Sequence, residues 1–202
     1  MRHVIYGALG VALALVAATA AFAQQATRIR GQIEKADNDT YVIRTREGAT
    51  VTARVDDKTR IGALVKASPA DIKTDSFIGI AGLPQPDGRI VAFSIHIFLP
   101  AQRGVVPDRH GPWDARPNST MTNAYVGNAA KSADGEVLTV KYKDGEKQVV
   151  VTPETVIAAA APGGKDELKP GAGVVIFGYE KQSDGAVLVR SMYVGRGVTP
   201  AM

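Results

Sequence analysis

Apolar and polar side chains alternate one by one in several short stretches of this chain. Residues 51–55 run Val-Thr-Ala-Arg-Val, and residues 137–142 show the same period of two. Such alternation is typical of β-strands that pack one face on a core and turn the other to solvent. Asp-Gly pairs stand between the apolar runs and suit tight hairpin turns. The pattern predicts an all-β protein whose turns are formed by Asp87-Gly88, Asp134-Gly135, Asp144-Gly145 and Asp184-Gly185.

One short helix is predicted in each half of the chain. Ser68 can cap the first, with proline at the next position and Asp71 completing the capping box. The second covers residues 165–169 and is stopped by a Pro-Gly pair. Ile72 and Leu168 would each fill a hydrophobic gap. Three strands, a short helix and two further strands describe a small barrel of the OB type.

The chain also repeats itself. Five features recur in the same order at an offset of 96 or 97 residues, a regularity that indicates tandem domains. We therefore predict two tandem small OB-like β-barrels, over residues 24–98 and 125–202, joined by a connector over 99–124. The matched pairs are Gly31 with Gly127, Gly48 with Gly145, Thr59 with Thr155, Gly82 with Gly178, and Asp87 with Asp184.

Each copy resembles a family of exported bacterial repeats, domain of unknown function 5666. The first copy carries the family's Gly-x-Ile at Gly31-Gln32-Ile33 and its Thr-x-Ile at Thr59-Arg60-Ile61, followed by an Asp-Gly pair. The second copy carries the pattern less well, because Ala129 replaces the isoleucine, and both copies lack the Gly-Asp usual after the helix. The resemblance implies an OB-like barrel and export, and it implies no activity.

The first 23 residues are expected to be a signal peptide. Arg2 precedes an almost wholly apolar stretch, Val4 to Ala20, and Ala21-Phe22-Ala23 supplies a small-x-small cleavage pattern. The stretch is short for a membrane span of about 20 residues, and no later segment is apolar enough to cross a membrane. We expect a periplasmic or secreted protein that folds without disulfides, since the chain has no cysteine.

The charge of the exported chain is mildly basic. Removal of Arg2 leaves 23 basic against 20 acidic residues, a net charge of +3. Arginines such as Arg28, Arg30 and Arg46 are spread along the sequence, which indicates a solvated sheet face rather than the clustered stripe of a nucleic-acid-binding protein. The export signal and the scarcity of aromatics for base stacking also disfavour nucleic acid.

The connector is the most unusual segment. Its four prolines exclude a long helix and a central strand, and it carries the chain's one tryptophan, Trp113, among charged residues. One interpretation is that Trp113 fixes the connector in a groove between the barrels. The other is that the connector contacts a ligand through Trp113, Arg109 and Asp114.

A transition-metal site is the sharpest form of the ligand hypothesis. His96 and His110, with Met121, could hold copper or zinc, because imidazole suits both metals and thioether selects Cu(I). The connector carboxylates Asp108 and Asp114 could add oxygen ligands. The two histidines are 14 residues apart, and no His-x-His pair or cysteine supports them.

No catalytic motif is present in the sequence. It lacks a G-x-S-x-G or S-x-x-K nucleophile motif, a thiol nucleophile, and the glycine patterns of nucleotide-binding loops. We therefore predict a non-enzymatic binding or scaffold module of the bacterial envelope, with a glycan or an envelope protein as its partner. The alternatives are a periplasmic copper- or zinc-binding protein and a small hydrolase with an unrecognised site.

Overall fold

A computed structural model describes residues 28–132 and 135–200, so the predicted signal peptide lies outside the described residues. The described chain is all-β, as predicted, and includes a five-stranded barrel. Its helical turns are three-residue 3-10 turns, and none of its helices could cross a membrane. The strands are β1 Ile29–Asp37, β2 Thr40–Thr45, β3 Thr50–Arg54, β4 Arg60–Lys66, β5 Phe77–Pro84, β6 Ile90–Ile97, β7 Arg109–Pro112, β8 Thr120–Ser132, β9 Gly135–Tyr142, β10 Gly145–Pro162, β11 Gly173–Lys181 and β12 Val187–Arg196.

Ten of these strands form two closed rings of hydrogen-bonded neighbours. In the first ring, which we call barrel 1, β1, β2, β3, β12 and β11 pair in that order, and β11 returns to β1. In the second, barrel 2, the order is β5, β6, β10, β9 and β8, and β8 returns to β5. Each ring therefore takes strands from both halves of the chain.

The prediction of two tandem barrels, one from residues 24–98 and one from 125–202, is not confirmed by this pairing. Barrel 1 combines three strands of the first half with the last two strands of the second half. Barrel 2 combines the last two strands of the first half with β8, β9 and β10 of the second half. Strand β4 joins the barrels, because it pairs with β12 on one side and with β10 on the other. Alternation along a strand defines its buried face but not its partner, so the sequence could not distinguish the two arrangements.

Two separate apolar cores fill the two rings. One contains buried side chains of β1, β2, β3, β11 and β12, and the other contains those of β5, β6, β8, β9 and β10. Leu168 is buried in the first core, and Ile72 packs against the second. Each side chain thus fills a hydrophobic gap as predicted, although the preceding segments are single 3-10 turns, Pro69–Asp71 and Lys165–Glu167, rather than helices.

The predicted turns have the expected backbone geometry. The glycines of all four Asp-Gly pairs, Gly88, Gly135, Gly145 and Gly185, have positive φ angles. Asp87 accepts a hydrogen bond from the backbone N–H of Arg89 at 3.0 Å and thereby acts as a turn residue. The remaining aspartate, Asp134, lies outside the described residues.

Two threonines that the sequence comparison matched make the same contacts. Thr59 accepts a backbone hydrogen bond from Asp56 and donates to the carbonyl of Val189 at 2.8 Å. Thr155 accepts one from Thr152 and donates to the carbonyl of Ala92 at 2.7 Å. Each threonine therefore contacts a strand from the other half of the chain.

The match of Gly31 with Gly127 does not hold in the strand register. Gly31 pairs with Val174 across β11, whereas Gly127 lies at a bulge of β8 between Val126 and Asn128. The residue of β8 that occupies the place of Gly31 is Ala124, which pairs with Ile78 across β5. In the strand register the match is therefore displaced by three residues.

Candidate functional site at the seam between the barrels

The connector folds back on barrel 2 as a short hairpin. Strand β7 pairs antiparallel with the start of β8, and the backbone N–H of Trp113 donates to the carbonyl of Ser119 at 2.8 Å. The Ser119 hydroxyl donates to the carbonyl of Arg116 at 2.7 Å and closes the turn. This hairpin brings its tip, residues 113–118, to the boundary between the two barrels.

Trp113 packs at that boundary. Its half-buried indole contacts a small apolar cluster that includes Ala81 and Met121 of barrel 2 and Phe177 of barrel 1. The guanidinium of Arg28, just before β1, lies over the ring at 3.7 Å from the centroid. The location matches the interpretation that Trp113 fixes the connector between the barrels, and it leaves one face of the indole covered by an arginine.

Asp114, the next residue, forms ion pairs with two arginines of barrel 1. Its carboxylate accepts a hydrogen bond from Arg30 at 2.7 Å and lies 3.5 Å from a guanidinium nitrogen of Arg28. Partial burial alone would raise the pKa of Asp114, but the hydrogen bond and charge of Arg30, with those of Arg28, lower it. Asp114 is therefore a carboxylate held between two guanidinium groups, one of which, Arg30, is only 6% exposed.

Three further arginines lie within electrostatic reach of Arg28 and Arg30 or of one another. Burial lowers the pKa of Arg28, Asp114 opposes that change, and the nearby charges of Arg30 and Arg109 add to it. Burial also lowers the pKa of Arg46, as do the charges of Arg30 and Arg116, whereas Glu47 opposes them. We call this surface the seam face and define it as Arg28, Arg30, Arg46, Arg109 and Arg116 around Asp114.

The seam face differs from the rest of the surface in its charge balance. Among the described residues, Asp114 is the one carboxylate that forms an ion pair with any of its five arginines. Five of the seven other arginines in the described chain each pair with a carboxylate of their own. Those pairs are Arg44–Glu34, Arg54–Asp184, Arg89–Asp87, Arg190–Glu180 and Arg196–Glu167.

Arg28, Arg30 and Arg46 are spread along the sequence, but in the fold Arg28 and Arg30 pair with Asp114, and Arg46 lies within electrostatic reach of Arg30 and Arg116. These residues belong to barrel 1, and the strand pairing brings them beside the connector residues Arg109 and Arg116. The charged residues next to Trp113 were the one signal in the sequence that pointed to this surface. The arginines of barrel 1 reach it only through pairing between distant strands, which no local sequence pattern predicts.

The structure does not bring the predicted metal ligands together. His96, Gly79, Asn123 and Arg109 lie side by side on four consecutive strands, so His96 and strand β7 are three strand spacings apart, roughly 14 Å. His110, next to Arg109, turns to the opposite face and has its Nδ1 2.8 Å from the Thr122 hydroxyl. Met121 and Asp114 belong to the surroundings of Trp113 and Arg30. Within residues 28–132 and 135–200, no group of three or more histidine or acidic side chains is placed to hold a metal ion.

His96 is enclosed by aromatic rings. It is 1% exposed, its ring stacks on Phe98 at 4.5 Å between centroids, and the edge of Tyr193 of barrel 1 approaches at 5.1 Å. Neither ring nitrogen has a hydrogen-bond partner in the described residues. Burial lowers the pKa of His96 to about 3, so the imidazole is neutral in the folded protein at ordinary pH.

We expect His96 to make the fold sensitive to acid. Its folded pKa lies below the ordinary value of 6.5, so only the unfolded chain takes up this proton between pH 6.5 and 3. The free energy of unfolding should therefore fall as the pH drops through that window, by at most about 1.4 kcal/mol per pH unit from this group. In urea titrations, His96→Phe should flatten the acid dependence, and the half-exposed His110→Phe should change it less. Parallel profiles for wild type and His96→Phe would contradict this account.

Comparisons with protein-family models, with curated protein sequences and with solved structures found no match. The resemblance to domain of unknown function 5666 therefore stays a prediction. The chemistry of the site has to be argued from its own residues. Those residues form a surface with an excess of guanidinium groups, supported by aromatic rings and shared between a barrel and the connector.

Proposed function

We propose that this chain is an exported, non-enzymatic binding module of the bacterial envelope and that the seam face is its ligand-contact surface. The observation that carries the proposal is a group of five neighbouring arginines in which one carboxylate pairs with Arg28 and Arg30 and none pairs with the other three, while most other arginines have carboxylates of their own. Like charges held close together destabilise a fold. A bound anion would relieve that repulsion, so the arrangement suits a surface that meets an anionic partner.

The surroundings of the two histidines favour binding over catalysis. A general base needs access to a substrate proton, but His96 is closed off by rings, and His110 is engaged with a threonine hydroxyl. The copper or zinc alternative needs His96 and His110 in one coordination sphere, and their separation of three strands speaks against it. Arginine, by contrast, is suited to recognising carboxylate and phosphate groups.

The repeated unit adds a second element to the proposal. We infer that the two barrels derive from two OB-like units that have exchanged their last two strands. The equivalent contacts of Thr59 and Thr155, each with a strand of the other half, support this origin. Exchange joins the two barrels through strands of both halves, and it positions arginines of barrel 1 against the connector. Export rests on the signal-peptide pattern of residues 1–23.

Sedimentation with envelope material tests the proposed function. The chain without residues 1–23 is mixed at low salt with isolated bacterial sacculi and, separately, with outer-membrane vesicles, and each is pelleted. We expect the protein to pellet with at least one of these, and the Arg109→Ala/Arg116→Ala variant to stay in the supernatant. Wild type that stays in the supernatant with both materials would contradict the proposal.

A matched variant distinguishes loss of the seam-face arginines from a general loss of positive charge. Arg44→Ala/Arg54→Ala removes the same two charges, but from arginines that already pair with Glu34 and Asp184. It should pellet like the wild type. Equal loss of binding in the two double variants would assign the binding to net charge and would remove the seam face from the proposal.

A further inference from the structure

The seam face provides guanidinium groups that no acidic side chain of the described chain engages. Arg109 and Arg116 are exposed and form no ion pair or side-chain hydrogen bond with any described residue. Arg46 donates one N–H to the backbone carbonyl of Pro200 at 2.5 Å, which leaves its charge without a carboxylate in contact.

The arginines cover more than one position on the seam face. Arg46 lies beside Arg30, because its backbone N–H donates to the Arg30 carbonyl at 3.0 Å, and Arg116 lies over Phe93, which belongs to the same apolar cluster as Trp113. Arg109 lies within electrostatic reach of Arg28. A small anion would occupy one or two of these positions, whereas an extended ligand with repeated negative charges would meet several of them.

Two of the guanidinium groups lie over aromatic rings. The guanidinium carbon of Arg116 is 4.0 Å from the ring centroid of Phe93, and that of Arg28 is 3.7 Å from the ring centroid of Trp113. Guanidinium groups are well suited to donate hydrogen bonds to carboxylates. Asp114 already accepts a hydrogen bond from Arg30 and lies 3.5 Å from a nitrogen of Arg28. The protein's own carboxylate thus indicates the chemical group that this surface accepts.

The same stacking argues against nucleic acid and membranes. Single-stranded nucleic acids need exposed rings for their bases, and here arginines cover the rings of Trp113 and Phe93. Membrane surfaces need exposed apolar side chains beside the positive charge. Among the described residues, the exposed large apolar side chains are Val105 and Val156, and neither belongs to the seam face.

We infer that the seam face binds an extended polysaccharide that carries repeated carboxylate groups. This inference rests on the proposed function, since it names the ligand class of the same surface. The carboxylates would pair with Arg109, Arg116 and Arg46, and the sugar units would bridge these positions. An acidic polysaccharide is a polar, flexible polymer that needs neither an apolar groove nor a free aromatic platform.

Calorimetric titration with polygalacturonate tests the inference. This polymer carries one carboxylate on each sugar, and its methyl ester is a matched ligand without the charge. At low salt the chain without residues 1–23 should bind polygalacturonate and not the methyl ester. Arg109→Ala/Arg116→Ala should weaken binding about tenfold or more, whereas Arg44→Ala/Arg54→Ala should change the dissociation constant less than about twofold.

Three further measurements keep the result unambiguous. Thermal unfolding of each variant checks that loss of binding is not loss of folding. Arg109→Lys/Arg116→Lys keeps the charge without the guanidinium fork, so its affinity should lie between those of wild type and the alanine variant. Polyphosphate and phosphatidylglycerol vesicles serve as competing anions, and tighter binding to either than to polygalacturonate would overturn the inference.

The outcomes separate this inference from the proposed function. Wild type that pellets with sacculi or vesicles but ignores polygalacturonate would refute the acidic polysaccharide and leave the binding module standing. Wild type that binds neither would refute both. Equal affinity for polygalacturonate and its methyl ester would show that the carboxylates are not recognised and would also overturn the inference.

Discussion

Cutting the connector should leave both halves of the chain together in one folded particle. A protease site introduced between Gly104 and Val105 would be accessible, because Val105 is 76% exposed. The cut separates strands β1–β6 from β7–β12. Each barrel contains strands from both sides of the cut, and six pairings cross it, including β1 with β11, β5 with β8 and β6 with β10. Breaking one peptide bond in the connector leaves all of these pairings in place.

Size-exclusion chromatography and circular dichroism measure this directly. The cut protein should elute at the volume of the uncut protein, keep its β spectrum, and separate into fragments only in denaturant. Uncut protein carrying the same inserted site is the control. Two smaller folded species under native conditions would mean that each half folds alone, as tandem barrels would, and would contradict the exchanged pairing.

Alanine at Gly31 should be among the most damaging small substitutions in the chain. A β-carbon there would overlap the backbone carbonyl oxygen of Arg44 on the neighbouring strand, and it would approach the Ile43 side chain to 2.9 Å. Backbone atoms of a paired strand cannot rotate away as a side chain can. We expect Gly31→Ala to lower the free energy of unfolding by about 2–3 kcal/mol, as measured by urea titration.

Gly127 supplies the matched control. A β-carbon at that position would lie 3.4 Å from the carbonyl oxygen of Thr139, which is ordinary contact. Gly127→Ala should therefore change the stability by less than about 1 kcal/mol. Similar losses at both positions would show that glycine is needed at each for backbone reasons alone, and would refute the packing explanation.

Local features of the fold followed from the sequence because each is determined by neighbouring residues. The alternation at residues 51–55 identified a strand, and the glycine of Asp144-Gly145 has the positive φ of its predicted turn. Ile72 and Leu168 were correctly expected to fill apolar gaps. Each of these predictions needs only a periodicity, a turn dipeptide or a capping residue.

The partners of the strands did not follow from the sequence. An apolar face fits the core of either barrel, so β11 could close on β8 of its own half or on β1 of the other half with equal local preference. The seam face was missed for the same reason. Arg30 and Arg116 are 86 residues apart in the sequence, and only the pairing of β1 with β11 and the fold of the connector bring them to one surface.

The predicted metal site is not supported, because its two histidines lie on different faces and on strands that are far apart. His96 and His110 are both strand residues, but three strand spacings separate the strands that carry them. The ring of Trp113, predicted to contact a ligand, has the guanidinium of Arg28 over one face, and its role in binding stays a prediction. The residues predicted to contact a ligand, Arg109 and Asp114, belong to the seam face, and their role in binding stays a prediction.

Mapping the contact surface by nuclear magnetic resonance tests the central claim most directly. The isotope-labelled chain without residues 1–23 is titrated with a short oligogalacturonate, and backbone amide shifts are followed. The account predicts that the largest changes lie at residues 28–30, 46 and 109–116, together with the indole N–H of Trp113. Changes centred elsewhere, for example on the loop at residues 85–89 or on the lysines at 141–147, would contradict it.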